Sequence, residues 1–183
     1  VNPAGWARVS FVRDLPDGRR FANDSRGYLY LLDHENRPAI YANVGEVFPF
    51  SDYSRLESGF IGFAFHPEFA RNRLVYLTYT RALDRGQTVV LVRARLDGMD
   101  LASVEDIFVA SLAAGDPNRW VFDAGSRLAF APDGRLFMTM GGAFEGDDSG
   151  APENSDLAQD LTSHAGKLLR LNDDGSPPLD NPF

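Results

Sequence analysis

The stretch Phe130-Ala-Pro-Asp-Gly-Arg-Leu-Phe137 decides the fold, because the chain repeats it. Leu15-Pro-Asp-Gly-Arg-Arg-Phe21 is a near copy, and Phe65-His-Pro-Glu-Phe-Ala-Arg-Asn-Arg-Leu-Val-Tyr76 is a longer version between the two. Each is an apolar segment, a Pro-acid corner, a basic residue and a second apolar segment. Pro presets φ at the first corner of a turn, while Asp and Gly accept the conformations that follow. The phrase therefore predicts strand–turn–strand, with Leu128–Phe130 and Leu136–Met140 as one hairpin. Outward from these corners, Tyr28–Leu32, Leu74–Thr80, Val89–Leu96 and Ile107–Ser111 alternate or run β-branched, as strands do. The one helical candidate is short, Asp156–Ser163 with Ser155 as cap.

Short strands separated by frequent turns, in units of some tens of residues, predict an all-β chain and a β-propeller in particular. Blades recur at about 40–50 residues. The corner prolines Pro16, Pro67 and Pro132 are unevenly spaced, so an insertion is expected in the later unit, and Gly141–Ser155 is rich in Gly and acid. This gives about three blades, against the roughly 4–8 of a closed ring. Three blades leave sheet edges exposed. Residues 1–183 are thus expected to form one partial propeller domain, completed by further blades of the same chain or of another.

The 183 residues are 44% hydrophobic, enough for a sizeable core. A formal net charge of −8 argues against nucleic acid as partner, since phosphates are held mainly by Lys and Arg. No apolar run approaches the roughly 20 residues of a membrane span. The chain has no Cys, which removes disulfides, thiolate metal sites and a Cys nucleophile. Opening at Val1 is expected of a processed or truncated chain. Gly-x-Ser-x-Gly, P-loop and dinucleotide fingerprints are all missing from the sequence.

Three longer phrases, in order, carry a family resemblance. They are Glu57-Ser-Gly-Phe-Ile-Gly-Phe-Ala-Phe-His-Pro-Glu-Phe69 with Leu74–Thr80; Gly125-Ser-Arg-Leu-Ala-Phe-Ala-Pro-Asp-Gly-Arg-Leu-Phe137; and Gly166-Lys-Leu-Leu-Arg-Leu-Asn-Asp-Asp-Gly175 running into Asp180-Asn-Pro-Phe183. From Leu15 onward the chain resembles the soluble quinoprotein glucose/sorbosone dehydrogenases, and matches the N-terminal half of such a protein. The resemblance implies a six-bladed propeller in the complete protein. It implies oxidation of a sugar hydroxyl, with hydride passing to pyrroloquinoline quinone (PQQ), a bound Ca2+, an external electron acceptor, and a periplasmic or secreted location.

Carried over residue by residue, the resemblance puts the catalytic base four positions before Arg127. That position is Asp123, where the family usually has His. An unperturbed His titrates near 6.5 and an Asp near 3.9, so a carboxylate base needs an environment that raises its pKa. Glu57 stands where the family faces the cofactor with Gln or Glu, and the Arg127 guanidinium matches the carboxylates of the quinone. The bland readings are a turn Asp in Phe-Asp-Ala-Gly, a solvated acid beside Arg55, and a hairpin arginine. His66 reads as a hydrogen-bonded turn histidine, His34 as a hairpin tip, and His164 as a residue near the cofactor face. The acids Glu145, Asp147, Asp148, Glu153 and Asp156 form an oxygen-rich loop without EF-hand spacing, so the metal ligands stay unknown. Two other readings stand beside the dehydrogenase. One is a non-catalytic propeller of the same lineage that binds glycan or protein; the other is a lactonase-like propeller with a channel-bound metal.

Overall fold

The computed structural model describes residues 9–15, 18–24, 28–33, 35, 37–43, 60–82, 87–97, 100–111, 125–141 and 155–182. Three antiparallel sheets follow one another along the chain. The first is β1 (Val9–Asp14), β2 (Arg20–Asp24), β3 (Tyr28–Leu32) and β4 (Pro38–Asn43), in that order. The second is β5 (Phe60–Phe65), β6 (Leu74–Ala82), β7 (Gln87–Asp97) and β8 (Asp100–Val109). The third is β9 (Leu128–Phe130), β10 (Leu136–Thr139) and β11 (Leu168–Leu171). The first strands meet across the sheets, β1 against β5 and β5 against β9. Sheets that meander outward from neighbouring first strands are the blades of a propeller, and the chain holds about three of them.

The repeated corner explains two hairpins, β1–β2 and β9–β10. Leu15 and Ala131 donate to the carbonyls of Arg19 and Arg135 at 2.8 Å, and Gly18 and Gly134 close back on Leu15 and Ala131. Both glycines have positive φ, 83° and 81°, which is what the last position of this bulged turn requires. A third copy of the bonding at Asn172–Ser176, with Gly175 at φ 84°, has no proline and so carries no such phrase in the sequence. The Phe65–Tyr76 phrase lacks the glycine. Its corner instead makes one helical turn, α1 (Phe69–Asn72), closed by Arg73 in the left-handed region.

In the second sheet, residues 75–80 of β6 and 88–92 of β7 are buried on both faces. Val75, Leu77, Tyr79, Val90, Val92, Ala94 and Leu96 pack on Phe21, Leu29 and Leu31 of the first sheet. Tyr76, Val89 and Leu91 pack on Leu128, Leu136, Met138 and Leu171 of the third. Alternate residues thus go to alternate interfaces, so the sequence reads as near-continuous apolar runs. Aromatic stacking joins the first interface, with Phe21 and Phe63 rings 5.0 Å apart.

The expected strands at 28–32, 74–80 and 89–96 fall within β3, β6 and β7. β8 starts well before the expected Ile107, and β4 and β11 were not expected at all. The helical candidate is a single 3₁₀ turn, Ser155–Ala158. It ends early because Asp160 turns back on itself, taking the backbone and hydroxyl hydrogens of Thr162.

Candidate functional site

Strand direction gathers the connections. β5 and β9 begin, and β2, β6 and β10 end, at the same end of the sheets, so the β2–β3, β4–β5, β6–β7, β8–β9 and β10–β11 connections all belong there. Glu57 belongs to the β4–β5 connection and Asp123 to the β8–β9 connection. Both lie outside the described residues, as do His34, Glu145, Asp147, Asp148 and Glu153. What the structure describes is the frame on which these segments are mounted.

Four sets of hydrogen bonds build that frame. Asn23, buried in β2, donates its side-chain amide to the Phe60 carbonyl at 3.4 Å, tying the first blade to the first residue of β5. Thr88 Oγ1 donates to the Ala110 carbonyl at 2.5 Å, and the Ala110 amide donates to Val89, carrying the β7–β8 pairing past the strand end. Ser111 and His164 bond twice: the Ser111 amide donates to His164 Nδ1 at 2.8 Å, and the His164 amide donates to the Ser111 carbonyl at 2.7 Å. Gly141 donates to the Gly125 carbonyl and Gly166 to the Gly141 carbonyl, both at 3.0 Å.

Gly62 brings the entry of β9 close. A Cβ there would lie 2.5 Å from Thr78 Oγ1, 3.0 Å from the Ser126 carbonyl oxygen and 3.5 Å from Leu128. The buried hydroxyls of Thr78 and Ser126, in the seam between the second and third blades, have no partner among the described residues.

Arg127 is the one predicted site residue among the described ones. Its backbone is locked to Thr139, the amide donating to Thr139 Oγ1 at 2.9 Å and the carbonyl accepting from the Thr139 amide at 3.0 Å. Ser126 and Leu128 on either side are buried towards the second blade, which leaves Arg127 on the exposed side with Ala129. Two other cations at this end are committed. Arg81 donates to Tyr79 Oη at 2.9 Å and pairs with Asp106, while Lys167 Nζ caps the carbonyls of Leu157 at 2.7 Å and Ala165 at 3.0 Å. The Arg127 guanidinium has no partner among the described residues, so its chemistry fits one carboxylate of a quinone cofactor. Among the described residues, no three His, Cys, Asp or Glu are grouped as a metal site would need.

Electrostatics here centre on His164. Burial pushes its pKa below the ordinary histidine value, and the nearby Lys167 charge pushes the same way. Asp160, on the same turn, is held below the usual carboxylate range by the Thr162 hydroxyl and amide. Neither the pair of hydrogen bonds between His164 and Ser111 nor the buried Asn23 was found by sequence reasoning. A lone polar residue in Phe21-Ala22-Asn23 was the available signal for the second.

The opposite end is structural. His66 Nδ1 accepts the Glu68 amide at 3.0 Å and lies 2.7 Å from the Asn72 side-chain nitrogen, the turn role expected for it. Tyr76 donates its hydroxyl to the Asp173 carbonyl at 3.0 Å, and burial raises that phenol to about 12.

Fold and frame together define a class: a β-propeller, of which the described strands build about three blades. The sequence model described as Glucose / Sorbosone dehydrogenase matches residues 8–183, and the chain belongs to that family, corresponding to its N-terminal half. The aldose sugar dehydrogenase YliI of Escherichia coli is 29% identical over 200 residues, covering 100% of this chain and 50% of that protein. A solved structure described as a putative oxidoreductase (glucose dehydrogenase) of Thermus thermophilus is similar, with TM-score 0.70, 30% identity, and 98% of this chain and 47% of that one covered. The PQQ-bound aldose sugar dehydrogenase of Streptomyces coelicolor is similar with TM-score 0.67 and 26% identity, over 98% of this chain and 48% of that one. The chain therefore spans about half the length of these relatives.

Proposed function

We propose that the complete protein oxidises a sugar hydroxyl, using PQQ as hydride acceptor and an external acceptor to reoxidise it. The likeness to a PQQ-bound aldose sugar dehydrogenase over 98% of the chain carries this reading. Residues 1–183 form one partial propeller domain in it, and the remaining blades close the ring. Bound PQQ supplies the redox chemistry; the protein's part is to bind, orient and move a proton. Asp123 accepts the hydroxyl proton, Arg127 meets a quinone carboxylate, and Glu57 faces the cofactor. Ca2+ belongs to the reading as well, with ligands outside the described residues. A periplasmic or secreted location completes it; among the described residues no helix is long and apolar enough to cross a membrane.

The test loads the complete protein with PQQ and Ca2+ and measures aldose-dependent reduction of an artificial acceptor. Turnover is expected, and Asp123→Asn should lower kcat by about 100-fold or more, the ordinary contribution of a general base. No quinone binding and no turnover with any aldose would leave the non-catalytic binding propeller in its place. Turnover that survives Asp123→Asn would remove Asp123 as the base.

A further inference from the structure

The short stretch 164–166 fastens both roots of the connection that carries Asp123. Its first root is Ser111, bonded twice to His164. Its second is Gly125, whose carbonyl is held by Gly141, which is in turn held by Gly166. Lys167 and Ser163 stiffen this stretch, Lys167 through the carbonyls of Leu157 and Ala165, and Ser163 by accepting the Ala165 amide at 3.1 Å. The imidazole is wedged beside the Phe108 ring, centroids 5.1 Å apart.

We propose that His164 is a positioning residue for Asp123, its Nδ1 holding the Ser111 amide and so fixing where the Asp123-bearing connection leaves the second blade. This rests on Asp123 being the base. Accepting at Nδ1 places the ring proton on Nε2 and requires the neutral imidazole. Protonation puts a hydrogen on Nδ1 facing the Ser111 N–H, and that root is released. Phe108 and Ser111, which meet the ring from the β8 side, carry no charge; Lys167, on its own stretch, is the charge that bears on it. His164 thus acts through the backbone at Ser111, and the effect falls on base placement rather than on sugar binding.

The experiment compares His164→Asn and His164→Leu in the complete, PQQ-loaded protein. Asn Oδ1 sits where Nδ1 sits and accepts the same amide; Leu fills the space without an acceptor. Amide exchange at Ser111, taken relative to the free-peptide rate, should quicken about tenfold in His164→Leu, as for one lost hydrogen bond, and stay near wild type in His164→Asn. The core amides of Val90 and Leu91 should not change in either. kcat should fall in His164→Leu and return in His164→Asn with KM unchanged, and His164→Leu should have no further effect in an Asp123→Asn background. Acidification should release Ser111 in the wild type but not in His164→Asn, an arm that stands even if His164→Leu fails to fold. Unchanged Ser111 protection in His164→Leu, equal kcat losses in both variants, or a loss that persists without Asp123 would overturn the proposal. A protein that turns over no sugar overturns the dehydrogenase reading and the role for Asp123, while the exchange arm still decides whether His164 holds this root.

Discussion

Two glycines with almost the same backbone conformation should respond very differently to alanine. Gly134 (φ 81°) and Gly175 (φ 84°) occupy the same position of the same turn, in the β9–β10 hairpin and after β11. Around Gly134 a new Cβ meets nothing within 4 Å. Its replacement should therefore cost only the left-handed strain of an L-residue, about 1–2 kcal/mol. Around Gly175 the new Cβ would overlap the Ile107 carbonyl oxygen, lying 2.7 Å from its carbon and 3.0 Å from its Cβ. Those are backbone and β-branched atoms of β8 that cannot swing aside. Overpacking of this kind adds about 1–3 kcal/mol, so Gly175→Ala should cost roughly 2–5 kcal/mol in all. Urea denaturation of the complete protein measures both variants on one scale. Amide exchange around Ile107 should quicken in Gly175→Ala alone. Equal costs for the two substitutions would refute the reasoning, because they would mean that the Asn172–Ser176 turn does not press on the second blade.

Leu136→Ala should cost about 2–5 kcal/mol by the same urea measurement, since Leu136 is fully buried between the second and third blades and its removal leaves a cavity. Tyr76→Phe removes the donor to the Asp173 carbonyl and should cost about 1 kcal/mol at neutral pH. The Tyr76 phenol titrates at about 12 in the folded protein and about 10 when unfolded. Folding therefore gains from the neutral phenol below pH 10 and loses that gain as the pH climbs through about 12. Stability measured across that interval should fall more steeply in the wild type than in Tyr76→Phe.

What the sequence revealed follows from how its signals are made. The Pro-Asp-Gly corners at 15–19 and 131–135 are local chemistry, and each turn forms as its residues dictate. β6 and β7 announced themselves because both faces are buried, so nearly every residue is apolar or β-branched. β8 did not, because Ser103 at φ 51° breaks the alternation and the register slips opposite Arg93–Arg95. Glu105 and Asp106 beyond it interrupt the apolar pattern, and only the fold pairs them with Arg93 and Arg81. At the site, Arg127 was found through a phrase it shares with a family, and the structure places it on the exposed side of the third blade. His164 was read as a residue near the cofactor face, but not for its bond to the backbone of Ser111, 53 positions earlier in the chain. Spacing along a sequence carries no trace of such a contact. Glu57 and Asp123 remain assignments by phrase.

The doubly covered second sheet has a consequence for synthesis. Tyr76, Val89 and Leu91 leave the ribosome well before Leu136, Met138 and Leu171, which cover them. Until that later segment emerges, the nascent chain presents one oily sheet face to the cytosol or to a translocon. A chaperone that grips extended apolar peptide would find its best foothold on the newborn chain there, and would be dismissed by the arrival of the third blade.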